Sequence, residues 1–258
     1  AFFADNDTEM IGETPPPALC AMEYIYFSRP DSNIRGLNVH TARKKMGKAL
    51  AKEHPIEADV VTGVPDSSLS AAIGYAEELG LPYELGLIKS RYIGRTFIEP
   101  SQSLREQGVK LKLSAVHGVV EGKRVIMVDD SFVRGTTSRR ITKMLKEAGA
   151  LEVHVLIAAP PIKYPCYYGM SSVNTTELPA ASLSISEIRE MIGADSLNFL
   201  SEEKTREILG IPGLNFNGGL CLACFGGSYP TEINSKGAGT CRKPTEKRES
   251  IYRRATKQ

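Results

Sequence analysis

Residues 125–128, VIMV, form an unbroken apolar run that ends in two aspartates, Asp129 and Asp130, and then in SFVRGTTS. A short run of this kind, β-branched at both ends, reads as a strand buried on both faces, as in a parallel sheet. Two adjacent carboxylates are costly to bury without partners, so the strand has to end at a sheet edge where something receives them. In an open parallel sheet that edge is a crevice outside the carboxyl ends of the strands, the place where ligands bind.

The flanking pattern agrees with this constraint. LNVHTARKKMGKALAKE (37–53) sets Leu37, Met46, Ala49 and Leu50 among charges and predicts an amphipathic helix. ADVVTGVPDSS predicts a strand entering a loop, and LSAAIGYAEELG a helix stopped by Gly80 and Pro82. AMEYIYFSRP and PYELGLIKS read as strands, and residues 90–114 as a long cationic loop or hairpin. After KRVIMVDDS come the helix TTSRRITKMLKEAG and the strand LEVHVLIAAPP. Strands alternating with helices predict an α/β domain with a parallel twisted sheet, placed over residues 33–170. A linker containing ETPPPAL occupies 1–32, and a small helical, cysteine-containing unit with SISEIREMIG and SEEKTREILG occupies 171–240.

Composition narrows the class. Hydrophobic content of 41% and charged content of 24% are those of a globular protein, and no apolar run approaches the roughly 20 residues of a membrane span. The start, AFFADNDTEM, lacks the basic and apolar regions of a secretory signal, so a cytoplasmic location is expected; lacking Met, it reads as a processed or truncated chain. A net charge of +2 is too small to imply a nucleic-acid partner. The basic tail 241–258, with seven Lys or Arg against two Glu, is expected to be solvated and disordered.

Beyond the aspartates, Arg134, Gly135, Thr136, Thr137 and Ser138 lead into a helix whose N-terminus attracts anions. Gly135 allows close approach of the backbone, and the hydroxyls add donors. Capping alone explains one acid or one hydroxyl here; two acids followed by RGTTS exceed what a cap needs. Carboxylates beside a phosphate cradle suit a phosphorylated sugar with a divalent cation. A second cradle stands at VTGVPDSS, with Ser67 and Ser68 at a helix start. Lys89, Arg91, Arg95 and Arg105 sit in the loop, where cations could stabilise a leaving polyanion. His40, His54, His117 and His154 are scattered and receive no role.

VDDSFVRGTTS resembles the signature of the type I phosphoribosyltransferases, which bind phosphoribosyl pyrophosphate (PRPP). The resemblance implies that Asp129, Asp130 and Ser131 face ribose and metal, that Arg134–Ser138 cradle the 5′-phosphate, and that Ser67, beside Ser68, is a Mg²⁺-site residue on the diphosphate side. YIGRTFIEPSQSLREQGVKLKLSAV and CAMEYIYFSRPDS are similar to the glutamine PRPP amidotransferases, enzymes that make phosphoribosylamine in the first committed step of purine synthesis. That likeness covers most of the chain and implies that Lys89 and Arg91 assist pyrophosphate departure. It also implies a homo-oligomer, tetrameric in the family, with feedback inhibition by purine nucleotides.

The chain has five cysteines, and Cys221 and Cys224 form C-x-x-C within GGLCLACFGG. By itself that motif fits redox chemistry, zinc, a cluster or none of these, and spacing does not unite it with Cys20 or with Cys166, expected just after the last strand. The iron–sulfur branch of the amidotransferases implies the union: Cys20, Cys166, Cys221 and Cys224 match the four ligands of its [4Fe–4S] cluster, with a Cys₄ zinc site as the alternative. Cys241 matches none. The family's glutaminase domain, with its N-terminal cysteine nucleophile, is not read in these residues, so only an ammonia-dependent reaction is expected of them. A PRPP- or nucleotide-sensing regulator and a nucleobase phosphoribosyltransferase are the alternative functions.

Overall fold

The computed structural model of the protein describes residues 17–89, 113–169, 175–211 and 213–233. Its centre is a four-stranded parallel sheet in the order β4 (Val60–Gly63), β7 (Arg124–Asp129), β8 (Glu152–Ile157) and β9 (Ser196–Phe199). Gly63 lies beside Val128, Asp129 beside Ile157, and Ile157 beside Phe199, so the strand ends are level. Tyr83 adds a single parallel bridge to Val61 on the far side of β4. Every residue of β4 and the last five of β7 are buried, as expected of strands covered on both faces.

Helix α1 (Val39–Glu53) begins where the Asn38 side chain accepts the Thr41 N–H at 3.0 Å. Its buried positions, Val39, Ala42, Arg43, Met46, Gly47, Leu50 and Ala51, follow the helical repeat and face α2 (Leu69–Leu79). The two helices approach so closely that a Cβ on Gly47 would lie 2.7 Å from the Ala71 carbonyl carbon, and one on Gly74 2.9 Å from that of Lys44. Helix α4 (Thr136–Glu147) packs on β8 and on α5 (Ile185–Ile192). The preceding helix, α3, is the single turn His117–Val120.

The short elements tie the rest together. The antiparallel pair β5 (Leu87–Lys89) and β6 (Leu113–Ala115) brackets the expected catalytic loop, whose residues 90–112, Arg91 included, lie outside the described residues. So do the tail 241–258 and Cys241. A hairpin joins β2 (Asn33–Ile34) to β3 (Leu37–Asn38). Strand β1 (Leu19–Cys20) pairs in parallel with β10 (Leu220–Cys221), setting Cys20 opposite Cys221.

Three expectations change. Residues 21–30 do not form a strand: Glu23–Phe27 make one wide π-helical turn, in which the Ser28 N–H donates to the Glu23 carbonyl at 3.0 Å. Adjacent Tyr24 and Ile25 are both buried, and their N–H groups donate to the Ala21 carbonyl within the turn rather than to a neighbouring strand. The strand ending near residue 157 is not the last, since β9 and β10 follow. The helices expected beyond 171 are present as α5 and α6 (Glu202–Leu209), but β9 lies between them and extends the main sheet. Its four residues alternate half-buried and buried, too short a run to stand out beside two helical repeats.

Candidate active site and cysteine centre

The chain leaves β4 toward the Tyr83 side of the sheet and leaves β7 toward β8 on the other side. Connections that diverge in this way open a crevice at the carboxyl ends of the two strands. Both sequence-predicted cradles fall there, Val64–Ser68 after β4 and Asp130–Ser138 after β7. Together they line one cavity of about 360 Å³, with Ser67, Asp129, Asp130, Ser131 and the RGTTS turn on its wall.

The carboxylates at its floor are held as a connected group. Asp129 is 6% exposed and Asp130 7%. The Asp130 N–H donates to Asp129 Oδ1 at 2.9 Å, Ser131 Oγ donates to Asp130 Oδ1 at 2.6 Å, and Ser67 Oγ donates to Asp130 Oδ2 across the crevice. Burial pushes both carboxyls above the ordinary range, and the Asp130 charge adds to the effect on Asp129. The hydroxyls of Ser131 and Ser67 and the guanidinium of Arg43 act against that rise at Asp130. Two carboxylates and a hydroxyl on the wall of one cavity are hard-oxygen donors suited to Mg²⁺ and to sugar hydroxyls.

The turn expected to cradle a phosphate is shaped by local packing. Gly135 has φ +75°, and a Cβ there would lie 2.7 Å from Phe132 Cζ and 2.9 Å from Met191 Cε. Phe132 is buried edge-to-face against Phe199, so the turn is wedged against the end of β9. No side chain caps α4, Thr136 and Thr137 are exposed, and Ser138 is buried on the cavity wall. The first turn of α4 therefore presents its backbone N–H groups to whatever anion enters.

Not every expected residue converges. Ser68 is buried, donates its hydroxyl to the Val64 carbonyl, and does not line the cavity. Arg134 lines the cavity, yet its guanidinium pairs with Glu177 at 2.6 Å. Lys89 reaches Asp66 at 2.9 Å, which places it at the Val64–Ser68 turn. Two residues that the sequence pattern left without a role also belong here. Tyr26, on the π-helical turn, lines the cavity, and Arg43 shares a small gap with Asp130 and Ser67. A cation on the apolar face of α1 was the visible signal for Arg43.

A second cavity, of about 610 Å³, is lined by Cys20, Cys166, Cys221 and Cys224. The β1–β10 pairing supplies two of them, and the Lys163 and Tyr164 N–H groups donate to the Cys224 carbonyl at 2.9 and 3.0 Å, bringing in the Cys166 segment. Burial, then the nearby Cys20, Cys221 and Cys166, pushes the Cys224 thiol up to about 12. Burial also raises Cys20 and Cys221. Among the described residues no three His, Cys, Asp or Glu side chains close on a single-ion position. No helix among them is long and apolar enough to cross a membrane.

Comparison with known proteins places this arrangement. Over 216 residues, 84% of its length, the chain is 68% identical to an amidophosphoribosyltransferase of Bacillus subtilis, covering 45% of that protein. A solved B. subtilis glutamine PRPP amidotransferase, complexed with ADP and GMP, superposes with a TM-score of 0.80 at 66% identity, over 87% of this chain and 49% of that one. A structure described as the allosteric regulatory enzyme of purine biosynthesis gives the same score and identity over 87% and 48%. The chain thus spans about half the length of the relatives it matches. Residues 38–178, the stretch that carries both cradles, match the phosphoribosyl transferase domain model, and the chain belongs to that family.

Proposed function

We propose that these residues carry out the phosphoribosyl-transfer step of an amidophosphoribosyltransferase, forming 5-phosphoribosylamine and pyrophosphate from PRPP and ammonia. The observation that carries this reading is the single cavity joining Asp129, Asp130 and Ser67 to the uncapped start of α4. The names of the relatives at 66–68% identity support it.

In this reading Asp129 and Asp130 accept the ribose hydroxyls and, with Ser67, hold Mg²⁺, while Ser131 fixes Asp130. Mg²⁺ supplies positive charge to the diphosphate. The α4 N–H groups with Thr136, Thr137 and Ser138 bind the 5′-phosphate, Gly135 admits it, and Arg134 adds charge by exchanging Glu177 for phosphate. Lys89, released from Asp66, and Arg91 stabilise the departing pyrophosphate as C1 becomes oxocarbenium-like. Ammonia attacks C1 and a proton is lost from nitrogen. Glutamine supplies the ammonia through the part of the relatives' length that this chain does not span, and purine nucleotides inhibit the cytoplasmic homo-oligomer. The expected result is ammonium-dependent pyrophosphate release from PRPP, increasing with pH as free ammonia increases. PRPP binding without any such release would overturn the reaction.

The cysteines take a [4Fe–4S] cluster in this proposal. Four soft sulfur donors around one cavity fit either iron–sulfur or zinc, but a tetrahedral zinc site needs sulfurs roughly 3.8 Å apart. The likeness of Cys20, Cys166, Cys221 and Cys224 to the ligands of the iron–sulfur branch favours the cluster. Anaerobically purified protein is expected to be brown, absorbing near about 400 nm with about four irons per chain. Colourless protein with stoichiometric zinc would select the other metal.

A further inference from the structure

Arg43 is the only Lys or Arg side chain buried among the described residues, at 3% exposed, and it forms no ion pair within 4.0 Å among them. An unpaired buried guanidinium is unfavourable unless its donors are satisfied and a counter-charge lies near. Its donors go to the π-helical turn: Nε donates to the Tyr24 carbonyl at 2.7 Å and Nη2 to that of Ser28 at 2.9 Å. These two carbonyls flank Tyr26, the residue of that turn on the active-site wall. On its other side Arg43 shares a gap of about 10 Å³ with Asp130 and Ser67, closed by Ile25, Met46 and Ala158. Burial lowers the pKa of the guanidinium, and Asp130 opposes that fall.

We propose that Arg43 is a positioning residue that couples the Tyr26-bearing turn to the Asp130–Ser67 floor of the cavity. One rigid fork, anchored in α1, clamps the turn by its carbonyls and places its charge across the small gap from Asp130. A shift at Asp130 therefore reaches the turn 23–28 through Arg43. Lysine carries the charge but lacks the fork that spans two carbonyls. The consequence for substrate binding rests on the function proposed above; the coupling itself does not.

The chain contains no tryptophan, so Phe27→Trp places a single fluorophore on the turn. In that background Asp130→Asn is expected to change the anisotropy and acrylamide quenching of the indole when Arg43 is present and to leave them unchanged in Arg43→Gln. Mg²⁺–PRPP is expected to bind Arg43→Gln about tenfold more weakly than the parent. Arg43→Lys should recover part of that loss without restoring the indole anisotropy. A fluorescence signal indifferent to Asp130→Asn in the Arg43 protein overturns the coupling, and that arm needs neither a folded Arg43→Gln nor PRPP. An equal response with and without Arg43 overturns it as well. A parent that fails to bind PRPP defeats the proposed function and leaves the fluorescence test in force.

Discussion

The variant carrying both Asp129→Asn and Asp130→Asn is expected to keep its fold, gain stability at neutral pH, and lose Mg²⁺–PRPP binding. Each carboxylate lost removes charge-assisted hydrogen bonds of about 1.5–3 kcal/mol, so the pair accounts for at least about a hundredfold in affinity. The stability change has the opposite sign. Burial, with the Asp130 charge in addition at Asp129, raises the folded carboxyls above their unfolded values. The folded chain then binds protons more tightly than the unfolded one. Stability from this pair is fully present below about pH 4 and is lost as pH climbs through the raised folded values. Asparagine removes that dependence while the Asp130 N–H still finds an oxygen at position 129. Thermal melts of the ligand-free proteins should therefore diverge with rising pH, the variant melting at least about 2 °C higher at pH 8. Calorimetry showing undiminished PRPP binding would remove the carboxylates from the site. Parallel melting curves would show that they are not strained.

Gly47→Ala is expected to cause the largest loss of stability, about 3 kcal/mol or more. Alanine favours an isolated helix over glycine by about 1 kcal/mol, so propensity alone predicts a gain. Packing decides otherwise. The new Cβ would lie 2.7 Å from the Ala71 carbonyl carbon and 2.9 Å from its Cα, all backbone that no rotamer change can move. Relief requires α1 and α2 to separate, and Gly74 against Lys44 holds the same crossing from the other helix. Separation would also displace Arg43 on α1 and the Ser67 turn that leads into α2. The urea midpoint should fall with an unchanged slope, and PRPP affinity should fall with it. A midpoint equal to or above that of the parent would mean that the helices have room.

Much of the site could be read in the chain because its chemistry is local. VIMVDD and RGTTS lie within one strand–turn–helix, and the same few residues specify burial, turn and cradle. The parallel sheet followed from alternating periods of two kinds. What escaped depends on contacts distant in sequence. The strand Ser196–Phe199 owes its conformation to β8 and carries too few residues to announce itself. AMEYIYF has the β-branched and aromatic composition of a strand, but Arg43 draws the carbonyls of Tyr24 and Ser28 toward one point and the segment coils. Ser68 was expected beside Ser67 in the second cradle, but the Val64 carbonyl takes its hydroxyl. The grouping of the four cysteines came from resemblance and not from spacing, because it depends on pairing between residues at opposite ends of the described chain.

That pairing has a kinetic consequence. Strand β1 has no partner until β10 is made, roughly 200 residues later. On a ribosome, Cys20 therefore emerges long before Cys221 and Cys224, while the sheet and its cradles can already assemble from residues 33–199. Closing so large a loop for two strands of two residues each offers little reward until the thiols have something to bind in common. The β1–β10 pairing is therefore expected to be among the last contacts of the described residues to form and among the first to open.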